Sequence, residues 1–260
     1  MVHEQQLTEK LRPTSLKHII LLDRIRKSMG EGTIEQNLIF AGKAGIGKTS
    51  LMKLLVIGED YLYINASEER GIDTVRDKIM EYCATYSTKG VNQSKYVLLD
   101  EFDGATPVFY QAFRAASEKY PHVKFVATCN YINKLPDPIK SRFLVLDFDP
   151  KNSDEEDELY SKYSKRIKML SAKLGIEWEN DDVLLLFVKM NFPDLRSIVR
   201  KLQDFRDSSI GMITMDNIKT LNYTFNDIFD LAIAKNPDPQ NTYKVVMTDY
   251  ANKVDDVFLS

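Results

Sequence analysis

The sequence predicts an α/β chain built on a five-stranded parallel sheet with helices on both faces, followed by a smaller helical region. Three observations carry that prediction. Five short apolar, β-branched or aromatic runs alternate with helical patterns as far as residue 150, a glycine-rich loop joins the first run to the first long helix, and beyond Asp149-Pro150 the strand pattern stops. Near-continuous apolar strands separated by helices are what a parallel sheet covered on both faces requires.

The strands are expected at Asn37–Ala41, Tyr61–Asn65, Tyr96–Asp100, Val123–Cys129 and Leu144–Phe148, with helices over Thr49–Ile57, Asp73–Thr85 and Phe109–Lys119 between them. These make a first domain over residues 1–150. Ser153 is the candidate N-cap of the next helix, with Glu156 completing a capping box. From there to about Leu221 every segment is helical in pattern, broken at Gly175, Phe192-Pro193 and Gly211, which gives an all-helical second domain over 151–222. The remaining residues, 223–260, hold a short helical pattern, the breaker Asn236-Pro237-Asp238-Pro239 and a last helix. They read as the start of a third, incomplete unit.

Composition narrows the function classes. Lys and Arg total 35 against 38 Asp and Glu, a formal charge of −3, which argues against a coat bound to nucleic acid by charge alone and leaves room for a local basic surface. The two cysteines, Cys83 and Cys129, lie far apart in apolar surroundings and offer neither a metal spacing nor a disulfide framework. No apolar run reaches membrane-span length and Met1-Val2-His3-Glu4 lacks a signal peptide's features, so a soluble cytosolic protein without a membrane partner is expected.

Gly42-Lys43-Ala44-Gly45-Ile46-Gly47-Lys48-Thr49 fits G-x-x-x-x-G-K-[ST] between a strand and a helix. Its glycines let backbone N–H groups of Gly42, Ala44, Gly45, Ile46, Gly47 and the following Ser50 curl around phosphates at the positive end of the helix. Lys48 would reach the β- and γ-phosphates and the Thr49 hydroxyl would ligate Mg²⁺. With Gly near 7% of residues in general, a chance match in a chain this size is roughly a one-in-a-hundred event. The run Lys95–Glu101 supplies the other half: a buried strand ending in Asp100 toward the metal and Glu101 toward an attacking water as candidate general base. Together they predict ATP hydrolysis by in-line attack on the γ-phosphate.

Further polar groups surround this core. Asn130 ends the fourth strand, beside the strand that carries Asp100 and Glu101. Arg142 lies between a polar loop and the fifth strand. Asp194 is a natural N-cap and Arg196 falls in the first helical turn after it, where a cation is disfavoured unless an anion binds.

Segments in order along the chain, spread from about Thr8 to Phe205, carry a family resemblance. Thr8-Glu9-Lys10-Leu11-Arg12-Pro13 resembles the E-K-Y-R-P box of sliding-clamp loader ATPases, and Tyr63–Arg76, with its Asn65-Ala66-Ser67 and Arg70-Gly71-Ile72-Asp73, resembles a segment of replication factor C small subunits. Ser141-Arg142 matches the start of that family's Ser-Arg-Cys motif. Asn191–Arg196 is similar to the clamp-loader ATPase subunit of T-even bacteriophages, the likeness that Asp100-Glu101-Phe102-Asp103-Gly104 also favours. A phage protein would work in the host cytoplasm.

The resemblance implies an AAA+ P-loop fold with a helical lid and a helical collar. It also implies a five-subunit ring of AAA+ subunits that uses ATP and Mg²⁺ to open a sliding clamp and load it on primer–template DNA. By matching positions, Asn130 becomes sensor 1 and Arg196 sensor 2, while Thr8, Glu9, Lys10, Leu11, Arg12 and Ile20 line the adenine side. Arg142 would act on a neighbour's ATP as an arginine finger, so an isolated subunit should hydrolyse ATP poorly. Arg70 and Arg76 sit where the family contacts duplex phosphates, and Arg70 is a candidate for coupling DNA to Glu101.

The chain departs from the family pattern at Lys43-Ala44 and Ile46 in the loop, at Leu11 in place of Tyr, at Phe143 in place of Cys, and in a collar reduced or cut short. A non-hydrolysing structural subunit of the same assembly and another AAA+ remodeller such as a helicase loader are the alternatives. A small-molecule P-loop kinase is a more distant one. The presence of Lys48, Thr49, Asp100, Glu101 and Arg142 in one chain favours the motor.

Overall fold

The computed structural model describes residues 7–30, 34–68, 72–87 and 94–222. The expected collar at 223–260 and the DNA-binding candidate Arg70 lie outside these residues. Two short helices, α1 (Leu7–Lys10) and α2 (Asp23–Ser28), precede the sheet. It is built from β1 (Leu38–Ala41), β2 (Asp60–Asn65), β3 (Lys95–Asp100), β4 (Val123–Cys129) and β5 (Leu144–Asp147). Between the strands run α3 (Lys48–Leu55), α4 (Ile72–Ala84), α5 (Pro107–Lys119) and α6 (Asp137–Lys140).

All five strands are parallel, in the order β2-β3-β4-β1-β5. The order places β1 between β4 and β5, where the connections run to opposite sides and a crevice opens at the strands' carboxyl ends. The strand period of two splits the core. Leu38, Phe40, Tyr96 and Leu98 face one cluster, while Ile39, Ala41, Val97 and Leu99 face the other. Register aligns the exits: Ala41 pairs with Cys129, Leu99 with Ala127 and Asp100 with Asn65. The residues that follow, Gly42, Glu101 and Asn130, therefore leave the sheet along one edge.

The second region comprises α7 (Ser153–Lys173), α8 (Asp181–Asn191), α9 (Leu195–Asp207) and α10 (Met215–Asn222). It is helical as expected except for one small pairing, in which β6 (Glu177–Trp178) lies parallel to β7 (Met212–Ile213). Gly175, at φ +71°, ends α7, and the extended chain beyond it is held where the Trp178 indole N–H donates to Ser171 Oγ at 2.7 Å. The start of α7 also differs from expectation. Asn152, not Ser153, is the N-cap: its extended backbone lets Oδ1 accept the Glu155 N–H at 2.9 Å, and Ser153 is already helical, so no capping box forms with Glu156.

The helical region and the sheet share a core. Ile19, Leu21, Leu22 and Ile25 pack with Leu159, Tyr163, Ile167, Leu170 and Ile198 in the cluster that also holds Phe40 and Leu98. Arg24 staples the junction, donating to the Asp147 and Asp149 carbonyls at 2.8 and 3.2 Å and pairing with Glu155 at 2.9 Å. This joint sets the lid over the carboxyl edge of the sheet.

Candidate active site

The loop after β1 depends on glycine at two places. Gly42 has φ +137°, and a Cβ there would stand 3.1 Å from Phe148 Cβ and 3.2 Å from the Asp149 backbone nitrogen. Gly47, at φ +101°, caps α3 in the left-handed region. The curl brings the Lys48 side chain back over the loop, where its ammonium donates to the carbonyls of Gly42 (2.6 Å) and Lys43 (2.7 Å) and to Asn130 Oδ1 (2.9 Å). Burial pushes that ammonium below the usual lysine range, and the nearby acids Asp149, Asp103 and Asp100 oppose the shift.

Asp100 ends a strand buried along its whole length and is itself only 7% exposed. A buried carboxylate needs partners, and this one has three. Thr49 Oγ1 donates to Oδ1 at 2.9 Å, the Thr128 hydroxyl donates to the same oxygen, and the Tyr63 hydroxyl donates to Oδ2 at 2.8 Å. Burial first, and then the bond to Asp100, push the Tyr63 phenol well above its ordinary range, so it stays a donor. Thr128 also accepts the Glu101 N–H at 3.1 Å, tying the two acidic positions to β4.

Glu101 has φ +52° and ψ +44°, an unusual state for a non-glycine residue. Such a conformation costs about 1–3 kcal/mol and persists where its surroundings fix it. Below it Phe102 packs edge-on against Phe109, Tyr110 and Phe113, and Phe143 stacks on Phe113 at 4.9 Å. Ser67 Oγ donates to Glu101 Oε2 at 2.5 Å. The approach of Ser67 relies on Gly104, where a Cβ would come within 2.9 Å of Ser67 Cβ.

A cleft opens between this edge and the lid. Of the residues expected to hold nucleotide, Thr8, Glu9, Leu11, Arg12, Ile20, Ala44, Gly45, Ile46, Gly47, Lys48, Thr49, Ser50 and Arg196 line it, as do Asp100, Glu101 and Asn130. Gly42 lies behind the lining, against Phe148 and Asp149. The Lys10 side chain lies outside what the structure describes. Asp194 caps α9, accepting the Ser197 N–H at 3.0 Å, as its sequence position implies.

Arg142 is not part of this cleft. Its guanidinium donates to the Pro138 carbonyl at 2.6 Å and pairs with Glu118 of α5 at 2.5 Å. Arg76 is exposed on α4. Tyr63, Ser67, Thr128, His18 and Arg166 are site residues that the sequence reading did not single out. A polar Thr128 inside an otherwise apolar strand was a usable signal, whereas Arg166 sits in a helix full of charge and gave none.

The donor set fits Mg²⁺. That ion takes oxygen ligands, keeps several waters and is held by one or two protein groups plus substrate phosphates. Thr49 Oγ1 and Asp100 Oδ1, 2.9 Å apart, are such a pair, and among the described residues no cluster of three or more His, Cys, Asp or Glu forms a cage for a more fully liganded metal. Among the described residues no helix is long and apolar enough to cross a membrane.

Comparison with known proteins agrees with this geometry. Residues 38–148 match the model of the ATPase family associated with various cellular activities (AAA). The replication factor C small subunit of Sulfolobus acidocaldarius is 32% identical over 230 residues, covering 84% of this chain and 67% of that protein. The Saccharolobus solfataricus small subunit is 37% identical over 166 residues, covering 59% and 50%. The chain thus spans between half and two thirds of the length of these relatives. Among solved structures, the Thermotoga maritima RuvB Holliday junction branch migration motor superposes with a TM-score of 0.65 at 16% identity, over 93% of this chain and 80% of that one, a likeness of fold. The sheet order, the phosphate loop with its acidic partner and the extent of the match together place the chain in the replication factor C small subunit family of AAA ATPases.

Proposed function

We propose that this chain is an ATP-hydrolysing subunit of a sliding-clamp loader, working in a ring of AAA+ subunits that opens a clamp and loads it on primer–template DNA. The observation that carries the reading is a division of the machinery. Lys48, Thr49, Asp100, Glu101 and Asn130 share one cleft under the lid's Arg196, while Arg142 stands outside that cleft on an ion pair. A chain that holds an entire phosphate site except for one cation suits a site completed by a neighbour. Residues 1–150 serve as the ATPase domain, 151–222 as the lid and 223–260 as the beginning of a collar.

Binding begins when the triphosphate takes the place of the Gly42 and Lys43 carbonyls as partner of the Lys48 ammonium. Thr49 and Asp100 would hold Mg²⁺, which would supply charge neutralisation to the polyphosphate. Tyr63 and Thr128 keep the Asp100 carboxylate in its rotamer while Thr49 remains beside it. Asn130 orients a water in line with the γ-phosphorus. Glu101 accepts the water proton as the new P–O bond forms and the β–γ bridging oxygen leaves on ADP. The Ser67 hydroxyl engages one oxygen of Glu101, which makes this contact a restraint on the base. Arg196 approaches from the lid and Arg142 from the adjacent subunit, each against the charge developing on the transferred group. Arg70 and Arg76 contact duplex phosphates, and several copies in a ring add weak contacts into useful affinity despite the acidic balance of the chain.

The test is ATP hydrolysis measured with and without primed DNA and a sliding clamp. Stimulation by both supports the loader. Hydrolysis indifferent to either leaves an ATPase of some other AAA+ remodeller, and nucleotide binding without hydrolysis in an assembled ring leaves a structural subunit.

A further inference from the structure

Two arginines from the lid line the cleft, Arg196 on α9 and Arg166 on α7. The other cations there are occupied: Arg12 pairs with Glu9 at 2.8 Å, and Lys48 is held by two carbonyls and Asn130. Among the described residues neither Arg166 nor Arg196 has a hydrogen-bond or ion-pair partner. Arg196 is exposed and Arg166 is half-buried, and a half-buried guanidinium with five donors and no acceptor beside it is a group prepared for an anion.

The packing locates each arginine along the cleft. Asp194, two residues before Arg196, lies so close to Gly45 that a Cβ there would be 1.7 Å from its Oδ1, which puts the start of α9 at the phosphate loop. Tyr163 of α7 donates to the Pro193 carbonyl at 3.2 Å, so that turn of α7 also stands near the loop. Leu170, about two turns further along α7, lines the same cleft. Arg166 falls between Tyr163 and Leu170, about one helical turn from each and on their face of the helix. In a nucleotide whose triphosphate lies on the loop, the α-phosphate would be the phosphate next along the cleft, where Arg166 stands about one turn of α7 beyond Tyr163.

We propose that Arg166 is a nucleotide-binding residue that contacts the α-phosphate, the anionic group ATP and ADP share. This rests on the nucleotide reading of the cleft. It separates the two lid arginines: Arg196 reads the end of the polyphosphate that hydrolysis removes, and Arg166 reads the part that remains. Arg166 therefore retains lid contact with ADP after the γ-phosphate has gone.

The experiment titrates the full chain with Mg²⁺ and either ADP or a slowly hydrolysed ATP analogue, with adenosine as a phosphate-free probe. Arg166→Ala is expected to raise Kd for ADP and for the analogue alike, by about tenfold, the size of one charge-assisted hydrogen bond. Adenosine binding should be unchanged and Arg166→Lys should recover part of the loss. Arg196→Ala should weaken the analogue more than ADP. The thermal midpoint without nucleotide separates a packing role from a binding one: it should stay at the wild-type value in Arg166→Ala while the nucleotide-induced rise shrinks. Arg166→Gln, which keeps most of the stem, carries the same titration if the alanine variant does not fold. Unchanged Kd for both nucleotides, a loss confined to the ATP analogue, or an equal loss for adenosine would each overturn the assignment. A wild-type chain that binds none of the three would instead end the nucleotide reading on which it rests.

Discussion

The carboxylate of Asp194 occupies the space where a side chain on Gly45 would begin, 1.7 Å from an ideal Cβ. One acid of the lid thus stands on the apex of the loop proposed to receive a triphosphate. It is there because it caps α9, accepting from the Ser197 N–H at 3.0 Å and the Ser197 hydroxyl at 2.7 Å. Asp194→Asn keeps an acceptor for the cap and removes the charge. Nucleotide titration should show tighter binding, roughly three- to tenfold at low salt, with a larger gain for an ATP analogue than for ADP and a smaller one at high salt. Gly45→Ala should instead weaken binding, since a side chain at φ +73° strains the loop whose N–H groups receive the phosphates.

Ser67 and Glu101 yield a kinetic expectation. The 2.5 Å bond from the Ser67 hydroxyl engages one oxygen of the proposed general base. Ser67→Ala should raise ATP hydrolysis in the absence of DNA several-fold and narrow the ratio of rates with and without it. Glu101→Gln, carried alongside, should lower kcat by about 10²–10⁴ with little change in nucleotide affinity. A fall in basal rate in Ser67→Ala would mean that Ser67 orients Glu101 for catalysis instead of restraining it.

These two contacts show where the sequence was legible and where it was not. The five strands and the phosphate loop could be read because each rests on local chemistry: an apolar run of strand length, or glycines at fixed offsets before Lys48 and Thr49. Asp100 and Glu101 followed from their place behind one such strand. The partners of those acids come from elsewhere: Tyr63 from β2, Thr128 from β4 and Ser67 from the turn after β2, all brought in by sheet order. Order β2-β3-β4-β1-β5 is a tertiary outcome that a run of apolar residues does not encode. The swap of Asn152 for Ser153 as cap has a smaller cause, two adjacent residues each able to accept the same kind of bond.

Thr128 should matter more than its modest chemistry suggests. Its hydroxyl donates to Asp100 and accepts from the Glu101 N–H, so Thr128→Val leaves a buried carboxylate short of one donor and a backbone N–H without its acceptor. The expected loss of stability is about 1–3 kcal/mol, read as a lower midpoint in urea. Magnesium-dependent ATP binding should weaken as well, because the Asp100 rotamer is less well held. Thr128→Ser keeps the hydroxyl and should restore both.

The last expectation concerns the pair that stands apart from the cleft. Arg142 is held at 2.5 Å by Glu118 and at 2.6 Å by the Pro138 carbonyl, with its side chain 29% exposed. If Arg142 completes a neighbour's site, reaching the γ-phosphate there requires it to leave Glu118. Arg142→Ala should then lower hydrolysis in the assembled ring by about 10³–10⁵ while leaving nucleotide affinity of the isolated chain unchanged, since no part of its own cleft is altered. Glu118→Gln weakens the hold without touching either cleft, and should raise the ring's rate or leave it level. Mixing Arg142→Ala subunits with Lys48→Ala subunits makes the shared site visible, because an Arg142→Ala subunit keeps a phosphate site that a Lys48→Ala neighbour can complete. Activity in the mixture above the sum of the two variants measured alone establishes the action in trans, and its absence would return Arg142 to the surface ion pair in which it is found.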